Sequence, residues 1–262
     1  MNNVYAYNEQ FNVYHCPDIK PFNYSDGARE ELNLLKSLRE NQDNSVASPS
    51  LRGLQVNWPS LYHLSSQRGN ILRPFSKLLR NRKVLEIGAG CGALSRFLGE
   101  VGAHVTALEG SLLRASIAAA RCRGLDNVKV ISDNFQSFSS DEKFDAVTLI
   151  GVLEYARLFI KGRDPVLEML ERARSFLKHD GILIVAIENQ LGLKYFCGAP
   201  EDHTQKFAFG LNDSYGHQSV VTFGRTELEQ KLHAAGFPER KLFLPFPDYK
   251  LPTCVPGRSL HK

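Results

Sequence analysis

The chain has 262 residues, enough for one large α/β domain or for a domain with an appended segment. Its 43% hydrophobic and 23% charged content is ordinary for a globular protein and argues against disorder over most of the length. The formal net charge of +4 includes no run of five basic residues, so the sequence predicts no nucleic-acid partner.

The cysteines and the N-terminal residues argue against several further classes of protein. None of the five cysteines forms a CxxC pair, so neither a disulfide framework nor a metal site is predicted, and Cys91 and Cys197 are expected to be small buried side chains. The first residues lack the basic start and apolar run of a signal peptide. No apolar stretch approaches the ~18–20 residues that span a bilayer, so we expect a cytoplasmic protein without a membrane span.

The first 57 residues show no strong strand pattern. The stretch Ser25-Asp-Gly-Ala-Arg-Glu-Glu predicts a capped helix start with carboxylates in its first turn. A loop is predicted at Asn41–Ser45, and the stretch from Ser60 predicts a helix that ends near Leu79. We therefore expect residues 1–80 to form a helical N-terminal cap on a main domain at 81–262.

From Lys83 onwards, short β-rich runs alternate with helical stretches. The predicted helices are Ala93–Val101, Ser111–Arg123 and Asp164–Leu177, and the predicted strands begin at Val84, Val105, Val128, Phe144 and Gly181. Strands separated by helices imply a parallel sheet with right-handed crossovers, and continuous apolar runs indicate strands buried on both faces. The sequence thus predicts a Rossmann-like, doubly wound α/β fold with helices on both faces of a mostly parallel sheet.

An irregular stretch rich in aromatic residues and glycine follows the fifth predicted strand, from Asn189 to Thr222. A connection of this length inside a compact domain is more often a lid or a binding loop than a plain linker. A helix is then predicted at Arg225–Ala235, and a strand-like run begins at Arg240. We expect residues 189–222 to form a lid-like insertion.

The main chemical motif is Val84-Leu-Glu-Ile-Gly-Ala-Gly-Cys-Gly, a strand that runs into a glycine-rich turn and a helix. Glycines at 88, 90 and 92 allow a sharp turn and a close approach to a ligand. Glu109 ends the next strand, 21 residues after Gly88, at the spacing of a carboxylate that binds ribose hydroxyls. These features alone also fit NAD, because Gly88-x-Gly90-x-x-Ala93 satisfies the dinucleotide pattern.

Two further carboxylates favour a cationic ligand over a dinucleotide. Glu86 lies two residues before Gly88, where its charge would repel a pyrophosphate but attract an ammonium or a sulfonium group. Asp133 follows the third predicted strand in a position to accept from an adenine amino group, with Asn134 and Phe135 beside it.

The ordered set Glu86-Ile-Gly-Ala-Gly-Cys-Gly, Glu109, Asp133-Asn-Phe and Phe144-Asp-Ala-Val-Thr-Leu-Ile-Gly-Val-Leu-Glu-Tyr resembles the successive motifs of class I S-adenosylmethionine methyltransferases, over roughly residues 83–246. The resemblance implies S-adenosyl-L-methionine as cofactor and 81–262 as the methyltransferase domain. It places Gly88 and Gly90 beside the methionine part, Glu109 at the ribose, Asp133 at the adenine, and Gly151 to Glu154 beside the transferring methyl group.

The flanking stretches Trp58-Pro-Ser-Leu-Tyr-His-Leu-Ser-Ser-Gln-Arg, Ile187-Glu-Asn-Gln-Leu-Gly and Gly198-Ala-Pro-Glu-Asp-His resemble a bacterial subgroup of these enzymes associated with surface-polysaccharide synthesis. Its members often accompany glycosyltransferases, which implies a sugar or glycan acceptor and a fused or neighbouring glycosyltransferase as partner. This implication is an analogy within a family.

The C-terminal part departs from the family pattern, which ends in a hairpin whose last strand is antiparallel to the sheet. The two prolines at 245 and 247 oppose ladder pairing. Either a short Thr253-Cys-Val segment supplies that strand, or the chain is a fragment of a longer protein, which we favour.

The candidate catalytic residues are His203 and Glu154. A hydroxyl acceptor loses a proton as it takes a methyl group, and Glu201-Asp-His203 in the predicted lid is the best candidate for a base cluster. Glu154 is equally compatible with an ordinary helix-start carboxylate. Arg68 is a candidate for the cofactor carboxylate and His63 for the acceptor, although both also suit a covering helix.

Three alternative functions stay open at this point. One is an NAD-linked oxidoreductase, and another is a non-catalytic module that partners a glycosyltransferase. Nucleic-acid methylation is weaker, because Gly151-Val-Leu-Glu-Tyr stands where an Asn-Pro-Pro-Tyr-type signature would follow the fourth strand.

Overall fold

The computed structural model describes residues 5–17, 25 and 27–257. Seven strands form one sheet in the order β1-β2-β5-β4-β3-β6-β7. β1 and β2 are antiparallel to each other, and every other neighbouring pair is parallel. The strands are β1 (Ala6–Asn8), β2 (Val13–His15), β3 (Lys83–Ile87), β4 (His104–Glu109), β5 (Val128–Ser132), β6 (Phe144–Ile150) and β7 (Leu177–Ala186). The predicted Rossmann-like fold class is confirmed.

Helices cover both faces of this sheet. The α-helices are α1 (Ala28–Glu40), α2 (Pro49–Gly53), α3 (Trp58–Leu64), α4 (Ser76–Leu79), α5 (Ala93–Val101), α6 (Leu112–Arg121), α7 (Ala156–Phe159), α8 (Pro165–Ser175), α9 (Leu193–Phe196) and α10 (Arg225–Ala234). Short 3₁₀ helices lie at Ser66–Ile71, Arg73–Phe75 and Leu153–Tyr155. Among the described residues, no helix has both the length and the apolar character needed to cross a bilayer.

The two faces follow from the alternation of side chains along each strand. Val84 of β3 packs with Leu98 of α5 in one apolar cluster, whereas the next residue, Leu85, packs with Leu170 of α8 in another. Because α5 and α8 lie on opposite faces, β3 is buried on both sides, which explains its continuous apolar run.

The structure adds two strands that the sequence pattern did not predict. β1 and β2 extend the sheet beyond β5, with Tyr14 opposite Ile131 and His15 opposite Ser132. Each has three residues, too few for apolar alternation to show, and only Val13 is fully buried. Their pairing depends on the open edge of β5, which lies far away in sequence. The N-terminal part is therefore not entirely helical.

Other sequence-based expectations need correction at their boundaries. The helix predicted from Ser25 begins at Ala28, after a Gly27 cap that makes no side-chain hydrogen bond, and Asp26 lies outside the described residues. The run that ends near Leu79 is divided into α3, two 3₁₀ turns and α4, because Pro74 and Ser65 interrupt it. Cys91 is buried as expected, but Cys197 is exposed.

The strand-like run after Arg240 does not join the described sheet. It makes isolated antiparallel bridges, Phe243 to Gly257 and Phe246 to Cys254, and thereby forms a local hairpin-like loop. The prolines at 245 and 247 remove two ladder donors there. This loop instead carries Tyr249 and Lys250 towards the carboxyl edge of the sheet.

Candidate functional site

One cavity lies at the carboxyl edge of the parallel strands, where ligands of open α/β sheets bind. All of the residues predicted to bind the cofactor line it: Arg68, Glu86, Gly88, Gly90, Glu109, Asp133, Asn134, Phe135 and Gly151. The arrangement follows from the parallel topology, because β3, β4, β5 and β6 end side by side at this edge.

The glycine loop after β3 has the sharp turn that its sequence predicts. Gly88 has φ of +72°, and a Cβ there would lie 2.5 Å from Val152 Cγ2. The backbone N–H groups of Gly88 and Ala89 both donate to the Leu108 carbonyl, at 2.9 and 3.0 Å, and that of Gly90 donates to Glu109. These donors face β4, so the loop does not offer them to a pyrophosphate, which disfavours the NAD alternative.

Glu86 lies on the floor of the cavity and is 3% exposed. Burial raises the pKa of its carboxyl to about 7. The hydrogen bond from the Ser95 hydroxyl and the positive charge of Arg68 both lower this pKa, but burial has the larger effect. A buried carboxyl with little compensation is an attractive partner for a cation.

Glu109 and Asp133 present carboxylates from the ends of two neighbouring strands. Glu109 accepts the N–H of Gly90 at 2.8 Å and that of Ser111 at 2.9 Å, which holds it across the glycine loop. Asp133 accepts from the Asn134 N–H at 2.7 Å and from the Tyr5 hydroxyl at 2.7 Å. Asp133 also accepts from the Ser137 hydroxyl at 2.9 Å. Glu109 keeps lone pairs for a ligand's donors, since each carboxylate oxygen can accept more than one hydrogen bond.

The roof of the cavity joins the N-terminal cap to the C-terminal loop. Arg68 is 4% exposed, and its Nη1 donates to the carbonyls of Tyr249 and Lys250, each at 3.1 Å. Its guanidinium lies 4.8 Å from the ring centroid of Tyr62, and Tyr62 in turn meets His63 edge-on. Arg68 and His63 both line the cavity, and Arg68 also holds the C-terminal loop through its two hydrogen bonds.

Phe135 lines the same cavity and also contacts two residues that do not line it. Its ring lies 6.2 Å from that of Phe176, and the Arg172 guanidinium stands 5.4 Å from its centroid. The ring is thereby held at the edge of the cavity next to Asn134.

The two predicted catalytic residues do not line this cavity but meet in a second group directly behind it. Ligand atoms of Glu154, Glu188 and His203 all lie within 4.8 Å of one another, and we call this group the acidic cluster. Burial and the neighbouring Glu188 raise the pKa of Glu154. Burial alone would raise the pKa of Glu188, but His203 and Lys250 lower it, and Glu188 raises the pKa of His203 against the effect of burial.

Gly151 separates the acidic cluster from the cavity. A Cβ at Gly151 would lie 3.0 Å from the Tyr249 hydroxyl and 3.7 Å from Glu154 Oε1. The ring of His203 packs edge-on against Tyr155, with centroids 5.6 Å apart, and Tyr155 lines the cavity. A molecule bound against Gly151 and Tyr155 would therefore lie next to the cluster.

The loop that carries His203 is fixed by Glu201, which the sequence offered as part of a base cluster. Glu201 is 2% exposed and accepts the N–H groups of His203 at 3.0 Å and Thr204 at 2.7 Å. One of its carboxylate oxygens is thus used to hold the loop.

Three members of this region were missed in the sequence: Glu188, Tyr249 and Lys250. Lys250 Nζ forms an ion pair with Glu188, and the Tyr249 hydroxyl lies 3.4 Å from Glu154 Oε1. Glu188 had a usable signal, because it follows an apolar strand as Asp133 does. Lys250 had none, since its position depends on the fold of the C-terminal loop.

The sequence model of a protein family described as "Methyltransferase domain" matches residues 63–239. Together with the doubly wound sheet and the cavity at its carboxyl edge, this match defines the class of protein. The chain belongs to the methyltransferase-domain family.

Curated relatives match about half of the chain. A protein named "Ubiquinone biosynthesis O-methyltransferase" from Histophilus somni is 28% identical over 137 residues, which cover 50% of this chain and 55% of the relative. An uncharacterized protein from Methanothermobacter thermautotrophicus is 30% identical over 132 residues, or 47% and 51% of the two chains. The chain thus spans about half the length of the curated relatives it matches.

Solved structures share the fold. A SAM-dependent methyltransferase from Thermotoga maritima, described as a possible histamine N-methyltransferase, has a TM-score of 0.50 and 22% identity, and the match covers 73% of this chain and 83% of that one. The 1,6-didemethyltoxoflavin-N1-methyltransferase of Burkholderia thailandensis, solved with S-adenosylhomocysteine, has a TM-score of 0.50 and 21% identity over 90% and 92% of the chains.

Proposed function

We propose that this chain transfers a methyl group from S-adenosyl-L-methionine to a hydroxyl group of a sugar or another small glycan precursor. The observation that carries the cofactor assignment is the convergence of Glu86, Glu109 and Asp133 on one cavity at the ends of consecutive parallel strands. The solved relative from Burkholderia thailandensis, with S-adenosylhomocysteine bound, supports the same assignment.

Each part of the cofactor has a partner of suitable chemistry in the cavity. Glu86 faces the cationic methionine part, which Gly88 and Gly90 border and whose carboxylate Arg68 attracts. Glu109 accepts from the ribose hydroxyls. Asp133 accepts from the adenine amino group, with Asn134 and Phe135 beside the ring.

The acceptor binds on the Gly151 side of the cavity, between the methyl group and the acidic cluster. The sulfonium already makes the methyl group electrophilic, so the protein supplies alignment for an in-line displacement in a site that excludes water. The methyl group moves to the acceptor oxygen, the sulfur keeps the electron pair of the broken bond, and the hydroxyl proton leaves towards the cluster that contains Glu154 and His203.

The acceptor class rests on chemistry and on resemblance. A buried cluster of carboxylates and an imidazole is suited to removing a hydroxyl proton, and the curated relatives include proteins named O-methyltransferases. The flanking motifs support a glycan precursor as acceptor and a glycosyltransferase as fused or neighbouring partner, and the location that we infer for the reaction is the cytoplasm. A non-catalytic partner module is the second candidate, and retained cofactor binding without methyl transfer to any glycan precursor would favour it.

Calorimetric titration with S-adenosyl-L-methionine and with NAD tests the cofactor assignment. We expect saturable binding of S-adenosyl-L-methionine and none of NAD. Glu109→Gln removes a charged acceptor at the ribose, so the Kd for S-adenosyl-L-methionine should rise about 10- to 100-fold. Glu229→Gln is the matched control, because among the described residues Glu229 forms an ion pair only with Arg225, within α10, which has no buried residue. NAD binding, or an unchanged Kd in Glu109→Gln, would contradict the assignment.

The affinity for S-adenosyl-L-methionine should also depend on pH through Glu86. Its carboxyl has a pKa of about 7 in the free protein, and a bound cation favours the ionised form. Binding below pH 7 must therefore release this proton, so the Kd should be about tenfold higher at pH 6 than at pH 8. In Glu86→Gln, affinity should be lower and this pH dependence absent. A pH profile that is the same in both proteins would refute the role of Glu86.

A further inference from the structure

The acidic cluster brings together two buried carboxylates with few hydrogen-bond donors around them. Glu154 is 1% exposed and Glu188 is 3% exposed, so both carboxylates are removed from water. The ammonium of Lys250 contacts Glu188 directly. The Tyr249 hydroxyl lies 3.4 Å from Glu154 and 3.5 Å from Glu188, and it can donate to only one of them. Among the described residues, Glu188 thus has an ion-pair partner and Glu154 has none.

Three buried polar atoms without a hydrogen-bond partner meet in the acidic cluster. Within the part of the chain that the structure describes, Glu154 Oε2, Glu188 Oε2 and His203 Nε2 are buried and have no hydrogen-bond partner. His203 Nε2 and Glu188 Oε2 are 3.7 Å apart, too far for a hydrogen bond. Buried polar atoms are nearly always satisfied, so three such atoms together indicate a bound group that all of them contact.

The other oxygens of the two carboxylates are already held from outside the cluster. Oε1 of Glu188 faces Lys250, and Oε1 of Glu154 faces Tyr249. The backbone of His203 is fixed by Glu201. This division, with one oxygen of each carboxylate held and the other free, is the arrangement by which outer-shell groups orient the ligands of a metal ion.

We propose that Glu154, Glu188 and His203 bind one divalent transition-metal ion such as Mn²⁺. Two carboxylate oxygens and one imidazole nitrogen suit Mn²⁺, Fe²⁺ or Zn²⁺, whereas Mg²⁺ and Ca²⁺ prefer oxygen ligands alone. The sequence spacing predicted no metal site, because the three ligands are contributed by the turn after β6, the end of β7 and the lid.

This inference rests on the proposed function and deepens it, because it names what holds the acceptor oxygen. The cluster lies behind Gly151, next to the place proposed for the acceptor. With the ion bound, His203 is a ligand and not the proton acceptor. The ion has coordination positions beyond its three protein ligands, so it can bind a hydroxyl oxygen and lower its pKa, and the proton can pass to the second carboxylate oxygen of Glu154. The acceptor class it favours is therefore a sugar or another compound whose hydroxyl groups can ligate a cation.

The test is a titration of the chelator-treated, tag-free protein with Mn²⁺, followed by electron paramagnetic resonance of the free ion. We expect one Mn²⁺ bound per chain, a dissociation constant at least tenfold higher in Glu188→Gln and Glu154→Gln, and no change in Glu229→Gln. Pulsed measurements should show a ¹⁴N coupling to the bound ion in the wild-type protein that His203→Ala removes. These variants also serve as a fold check, because they should bind S-adenosyl-L-methionine as the wild type does.

Two outcomes would overturn the proposal. One is the absence of saturable Mn²⁺ binding up to millimolar concentration, and the other is equal binding by the wild type and the three cluster variants. Neither result affects the cofactor cavity, which the titration with S-adenosyl-L-methionine reports separately. Failure of the proposed function would instead be seen as a loss of cofactor binding by the wild-type protein.

Discussion

Replacing His203 with alanine is expected to lower the turnover of methyl transfer about 10²- to 10⁴-fold, the range expected when a cluster that removes the acceptor proton loses one of its members. The reason is its place in the structure. His203 packs against Tyr155 of the cavity wall and faces Glu188 within the acidic cluster. The Kd for S-adenosyl-L-methionine should stay within about twofold, because His203 does not line the cofactor cavity.

The measurement is methyl transfer from labelled S-adenosyl-L-methionine to a panel of sugars and sugar nucleotides, under saturating cofactor. His233→Ala is the matched control, since His233 is exposed in the last turn of α10. Glu154→Gln should show the same pattern as His203→Ala, with low turnover and normal cofactor affinity. If His203→Ala kept wild-type turnover, the acceptor would have to bind elsewhere along the cavity.

A second large effect is expected on stability when Gly92 is replaced by alanine. Gly92 has φ of +81°, and a Cβ there would lie 2.6 Å from the backbone Cα of Ala118 in α6. The left-handed conformation costs about 1–2 kcal/mol for a residue with a side chain, and overpacking of two helices adds about 1–3 kcal/mol. The free energy of unfolding should therefore fall by about 2–5 kcal/mol.

Two control variants separate the conformational cost from the packing cost in this loss of stability. The free energy of unfolding of every variant is measured by urea denaturation. Gly124 has φ of +80° with nothing within 4 Å of an added Cβ, so Gly124→Ala should show the conformational cost alone, about 1–2 kcal/mol. Gly53 is in α2 with open space around it, so Gly53→Ala should be close to neutral. If Gly92→Ala were no worse than Gly124→Ala, contact with α6 would not be the reason for glycine at this position.

For Gly92, the sequence motif predicted the presence of a turn correctly but not the reason why glycine is needed there. The sequence predicted that the glycines at 88, 90 and 92 allow a tight turn and approach to a ligand. Gly88 and Gly90 do line the cavity, but Gly92 faces the backbone of α6. The requirement there is close packing between two helices, which only the tertiary structure shows.

The sequence alone was sufficient to predict the parallel strands β3 to β7 and the residues that line the cofactor cavity. Apolar runs that alternate with amphipathic helices imply a parallel sheet, and a parallel sheet places the ends of its strands at one edge. Glu86, Glu109 and Asp133 each follow an apolar run, so their convergence could be predicted without coordinates. The short strands β1 and β2 could not, because their three residues carry no periodic signal.

The amino-acid sequence by itself determined the local structure and, through it, the edge of the sheet at which the cavity lies. What only the tertiary structure decided was the meeting of Glu154, Glu188 and His203 with Tyr249 and Lys250. These residues are contributed by the turn after β6, two parts of the irregular segment after β7, and the C-terminal loop. Such a meeting has no signature in local sequence, because it arises from long-range packing of irregular segments rather than from a repeating pattern.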